Sequence, residues 1–80
     1  MEKYIKALEN GKKIKISPNK NNENIKNYDS AIFYKKDGFY HTINNLCGDI
    51  VRKDLTTTKI KKHFKRMILE GFVLEVKTCI

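Results

Sequence analysis

The sequence predicts an α+β domain in which a short, mostly antiparallel sheet containing a β-hairpin packs in two layers against one or two helices. Three observations carry that expectation. Two apolar runs, residues 31–36 and 39–43, flank Asp37-Gly38, a pair that supplies positive φ at a tight turn. Residues 13–17 and 72–77 alternate apolar with charged positions, the period of a half-buried strand. Residues 56–70 instead sort cations from apolar side chains at about 100° per residue, the helical period. Mixed helices and strands at this length form two layers around one core.

At the N-terminus, Met1, Tyr4, Ile5 and Leu8 recur at helical spacing and Gly11 offers a left-handed stop, so residues 2–10 read as a short helix. Glu2 stands in its first turn, where the helix dipole favours an anion. In residues 13–17, Ile14 and Ile16 lie on one side and Lys13 and Lys15 on the other until Pro18 ends the run, which suggests a strand at a sheet edge. Residues 19–30 hold five asparagines without periodicity and read as a surface loop anchored by Ile25 and Tyr28.

The hairpin register is open in the sequence. A two-residue loop pairs Ile32 with Ile43, whereas a three-residue loop pairs Phe33 with His41. Phe33, Phe39 and whichever tyrosine shares their face are expected in the core. Ile43, Leu46, Cys47, Ile50 and Val51 form a helical stripe, so residues 43–53 favour a short helix over a third strand through residues 49–53, even though Gly48 weakens a helix by about 1 kcal/mol. Asp54 or one of Thr56, Thr57 and Thr58 can cap the basic helix, and Gly71 can end it. Ile60, Phe64, Met67 and Ile68 are its expected buried side, with Phe72, Leu74 and Val76 inward on the closing strand.

Eighty residues leave room for one domain, 1–80, and a chain this short buries only about 60 to 65% of its unfolded surface. No apolar run approaches the roughly 18 residues of a membrane span, and no signal-peptide core follows Met1, so a cytoplasmic protein is expected. Cys47 and Cys79 are the only cysteines, too few for a disulfide framework, and both are expected reduced.

Chemistry is sparse. His41, His63, the two thiols and scattered carboxylates fall in no spacing that pairs a nucleophile with a base, so no enzyme is expected. Neither C-x-x-C nor H-x-x-x-H appears, nor does a phosphate-cradling glycine loop, so no metal or cofactor is expected.

Charge is the informative quantity. The chain carries a formal +8 with a pI near 9.6. Residues 56–70 set five cations against one anion, a local +4 and half of that surplus. Neutralising phosphates needs several long cations on one rigid surface, and Lys59, Lys62 and Arg66, with Lys61 and Lys65 one strip over, provide such a row. Thr57 and Thr58 add hydroxyl and backbone donors at the helix start. On the hairpin, Lys35, Lys36 and Tyr40 are candidates for holding an unpaired base, since aromatics with cations on an open sheet stack bases. The competing reading is a basic helix that only meets solvent.

Residues 58–73 read T-x-I-x-x-H-F-K-x-M-x-x-E-G-F-V, a pattern that resembles the recognition helix of bacterial winged-helix repressors. Ile43-x-x-Leu46-Cys47-Gly48 is similar to the helix that precedes it there. The resemblance implies that Lys59, Lys61, Lys62 and Lys65 face a DNA major groove, with Ile60, Phe64, Met67 and Phe72 in the core. In layout, a short helix, a strand like KIKIS, an Asn-rich loop and a hairpin turning at D-G resemble the first half of small phage-encoded anti-CRISPR proteins, which block a CRISPR effector. Those are acidic DNA mimics, whereas a basic chain would have to meet an acidic protein surface or a ribonucleoprotein.

The expectation is therefore a small basic, non-enzymatic nucleic-acid-binding protein of phage or mobile-element type, acting in the host cytoplasm if phage-encoded. An inhibitor docking on a defence protein through the hairpin or the edge at residues 13–17 is the alternative, and a homodimer through the closing strand is a third reading.

Overall fold

The computed structural model describes residues 2–44 and 48–77. Its elements are α1 (Glu2–Glu9), β1 (Lys13–Pro18), β2 (Ala31–Lys36), β3 (Phe39–Asn44), β4 (Gly48–Arg52), α2 (Thr57–Leu69) and β5 (Phe72–Lys77). All neighbouring strands are antiparallel, in the order β4-β3-β2-β1-β5. Both helices contribute to a single core on one face of this sheet, giving the two-layer α+β architecture that the periodicities indicate.

Local rules set the hairpin. Asp37 at φ 54° and Gly38 at φ 83° form a two-residue turn with both central residues at positive φ, which matches the twist of the flanking strands. The register is Lys36 opposite Phe39 and Ile32 opposite Ile43. Phe33 therefore lies opposite Thr42 and shares its face with Tyr40, so these two enter the core. Phe39 points to the other face and is 46% exposed, contrary to the expectation that it packs with Phe33.

Two further expectations are corrected. β1 is not an edge: it is paired to β2 on one side and to β5 on the other, from Lys13 opposite Lys77 to Pro18 opposite Phe72. Chain return after α2 supplies that second partner, and Ile14 and Ile16 become fully buried between the layers. Residues 48–52 form β4 rather than a helix, pairing with β3 from Asn44–Gly48 to Tyr40–Arg52. The β-branched pair Ile50-Val51 suits a pleated edge, and Gly48 at φ 68° starts it. Leu46 and Cys47 of the anticipated stripe, and Cys79, lie outside the described residues.

α2 is capped by Thr56, whose Oγ1 accepts the Lys59 N–H at 3.2 Å. It ends at Gly71, whose φ of 101° an L side chain rarely adopts. Asn22 from the Asn-rich loop donates its Nδ2–H to the Glu70 carbonyl at 3.2 Å, tying the loop to the helix end. Ile25 anchors the same loop in the core, while Tyr28 stays largely outside with its ring 5.8 Å from that of Phe72.

Ile60 and Phe64 are wholly buried, and the Phe64 ring meets Phe33 edge-on at 5.5 Å and Tyr4 at 6.2 Å. Burying a side chain like Phe64 contributes about 1.5 to 3 kcal/mol. Met67 packs partly against this core, but Ile68 is exposed. On the helical wheel Ile68 sits about 80° from Ile60, at the rim of the stripe. Val76 points to the core side yet is also exposed, at the end of the outermost strand.

Candidate nucleic-acid interface

Because Ile60 and Phe64 fix the rotation of α2, its cations divide between two flanks. Lys61 lies on the flank nearest α1, where its Nζ is 2.7 Å from Glu2 Oε1. That contact holds the Glu2 carboxyl below its ordinary pKa, first through the hydrogen bond and then through the charge of Lys61. Lys65 stands outward on the same side. The opposite flank carries Lys59, Lys62, His63 and Arg66, spaced i, i+3, i+4 and i+7, which with Leu55 line a cleft of about 260 Å³.

Among the described residues Lys59, Lys62 and Lys65 have no ion-pair partner, and all three are exposed. Arg66 makes one i,i+4 contact to Glu70, at 3.7 Å, between two solvent-exposed groups. A contact this long between two such exposed groups contributes little and yields readily to a better anion. The first turn of α2 contains no acidic residue, so its free N–H groups and dipole add to the positive field. Thr58 is exposed there. The Thr57 hydroxyl lies 3.2 Å from the Tyr40 hydroxyl, which joins the helix start to β3.

The cleft flank also contains His63, half-buried with its ring 5.5 Å from that of Phe33. Burial lowers its pKa, and the nearby charges of Arg52 and Arg66 lower it further. Arg52 closes one side of the neighbourhood from β4, and its guanidinium holds the Asp54 carboxylate through two 3.2 Å contacts. That bond is the main cause of the lowered Asp54 pKa. The sequence shows His63 in no catalytic spacing, yet its i+4, i+1 and i−3 relation to Lys59, Lys62 and Arg66 is the signal that places it with them.

The hairpin candidates separate. Tyr40 is 3% exposed and belongs to the core, so it offers no ring to a base. Lys35 sits on the same covered side, 2.8 Å from Glu9 and 5.4 Å above the Tyr40 ring. The hydrogen bond to Glu9 raises its pKa. Two-residue turn geometry sends 33, 35, 40 and 42 towards the helices and leaves only Lys36 on the open face.

That open face carries no buried residue among those described. One row across it runs Lys77, Lys13, Tyr34, His41 and Val51. Tyr34 and His41 stack at 4.7 Å with Lys13 Nζ 5.1 Å from the tyrosine ring, so both ring faces of Tyr34 are already occupied. Tyr34 donates its hydroxyl to Asp49 Oδ2, and His41 Nδ1 lies 3.2 Å from Asp49 Oδ1. The Tyr34 bond lowers the Asp49 pKa and raises that of Tyr34. Phe39, Val51 and Val73 are exposed on this face.

Among the described residues no three of His, Cys, Asp and Glu gather in a metal-binding arrangement, and no helix is long and apolar enough to cross a membrane. Strands stand before α2, at Phe39–Asn44 and Gly48–Arg52, where the winged-helix resemblance places a helix. Comparison with protein-family models, curated proteins and solved structures returned no match, so the geometry of this α+β domain carries the functional argument.

Proposed function

We propose that this domain binds nucleic acid in the cytoplasm through the outward side of α2, as a small basic regulator of phage or mobile-element type. The observation that supports it most directly is that Lys59, Lys62 and Lys65 are exposed with no carboxylate in ion-pair reach among the described residues, beside an Arg66 held only by a long contact to Glu70. A rigid helix bearing such a row displaces condensed counterions when it meets a phosphate backbone, and their release drives association. Lys61 is the exception, being engaged by Glu2.

The test is binding of duplex and single-stranded probes by fluorescence anisotropy, with Lys62→Glu and Arg66→Glu combined. The double variant should fold normally and lose binding. Equal retention of variant and wild type on both kinds of probe would refute the proposal.

A second reading draws on the uncovered sheet face. Exposed Phe39 and Val51 beside Lys13 and Lys36 suit a docking surface for a host defence protein or ribonucleoprotein, in the manner of an inhibitor. Strand addition at residues 13–17 is closed, because β1 is paired on both sides. One stoichiometric protein partner that survives nuclease treatment and is lost on Phe39→Lys would select this reading.

A further inference from the structure

We infer that the cleft between α2 and Leu55 is a phosphate seat coupled to a proton: a backbone phosphodiester enters between Lys59, Lys62 and Arg66, and the His63 imidazole is protonated as it does so. This rests on the nucleic-acid reading and adds to it a dependence on pH.

Residues 59, 62, 63 and 66 lie within about 100° of the helix circumference and, with Leu55, line one groove. The groove, open to solvent, offers about 260 Å³, far above the roughly 10 to 15 Å³ that one water molecule needs on the same measure, which is room for a phosphate group. His63 is held against the Phe33 ring, so its position in the groove is set by the core and not by solvent.

The charges around that imidazole are one-sided. From α2 it is faced by Lys59, Lys62 and Arg66, and from β4 by Arg52. Glu70 is the one group that favours its charged form, and Glu70 is shared with Arg66. Asp54 is turned onto Arg52. Phe33, from β2, brings no charge.

In the free domain the imidazole is therefore neutral near neutral pH. Its depressed pKa makes a contribution to stability that is present above the ordinary 6.5 and lost as the pH falls through the folded value. A phosphodiester keeps its full negative charge across this range. Burial is the main reason His63 stays neutral, and the charges of Arg52 and Arg66 add to it; a phosphodiester seated there opposes that second part, so the complex binds a proton that the free domain does not. By linkage, acid then strengthens phosphate binding, by about tenfold for each pKa unit through which the anion raises His63.

The experiment uses the whole chain and a fluorescent oligothymidylate without a terminal phosphate, since neither its backbone nor its bases titrate between about pH 5.5 and about pH 8. Affinity at fixed ionic strength should rise about three- to tenfold from the upper to the lower pH, as one imidazole shifted by up to a unit requires. In proton NMR the His63 ring should titrate at higher pH when the oligonucleotide is saturating. His41, on the opposite face of the sheet, should stay where it was.

His63→Gln should flatten the pH profile. Salt-dependent binding that ignores pH, or equal movement of His41 and His63, would overturn the seat while leaving the nucleic-acid reading intact. Sulfate alone moving His63 as far as the oligonucleotide would overturn the assignment to a backbone phosphodiester. No binding at any pH would overturn both.

Discussion

The sharpest quantitative consequence concerns which α2 cations meet phosphate. Lys59, Lys62, Lys65 and Arg66 are available, whereas Lys61 is paired 2.7 Å from Glu2. Four phosphate contacts give a slope of log K against log salt of about −3.6 on a duplex and about −2.8 on a single strand. Raising KCl from about 50 mM to about 200 mM should then weaken duplex binding about 150-fold. Lys62→Gln removes one contact, bringing the slope to about −2.7 and the loss to about 40-fold. Lys61→Gln, which removes the same formal charge from the same helix, should leave the slope within about 0.3 of wild type. Fluorescence anisotropy across four salt concentrations measures all three proteins. If Lys61→Gln flattens the slope as much as Lys62→Gln does, net charge and not the arrangement on α2 governs binding, and the reasoning fails.

Three other outcomes follow from the structure. Thr42 is buried with its hydroxyl unpartnered among the described residues, so Thr42→Val should stabilise the domain by about 1 kcal/mol, raising Tm by about 4 to 8 °C. A drop in Tm would reveal a partner for that hydroxyl. Gly71→Ala should lose more than about 1 kcal/mol in urea unfolding, because it meets positive φ and a Cβ would stand 2.7 Å from Asn22 Nδ2. Adding Asn22→Ala should not restore wild-type stability, since the backbone strain and the lost cap both remain. Asp49 has a folded pKa below its ordinary 3.8, so its contribution is present above that value and disappears as pH falls through the folded one. The Tm gap between wild type and Asp49→Asn should therefore close in acid, and a gap of constant size from neutral pH to about pH 2 would contradict the Tyr34–Asp49 bond as its source.

Much of the secondary structure is a matter of neighbours in sequence, and those parts were legible. Asp37-Gly38 marks a turn because both residues tolerate positive φ, though its register stayed open; Thr56 was one of four capping candidates, and Gly71 ends α2 for the same conformational reason as the turn glycine. The segment after Ile43 was misread because apolar residues at 43, 46, 47, 50 and 51 fit a helix as well as an edge strand does. What selects the strand is the exposed edge of β3, which a one-dimensional pattern does not contain.

The chain alone determined an α+β domain with a basic amphipathic helix, since periodicity and charge order are local properties carried by each residue into any fold. Only the tertiary structure decided that β1 is interior, that Tyr40 and not Phe39 faces the core, that Glu2 engages Lys61, and that His63 joins Lys59, Lys62 and Arg66 around one cleft. Each of these depends on residues far apart in the chain meeting in space. Hydrophobic burial against the sheet sets the rotation of α2, and that rotation assigns every cation its neighbours.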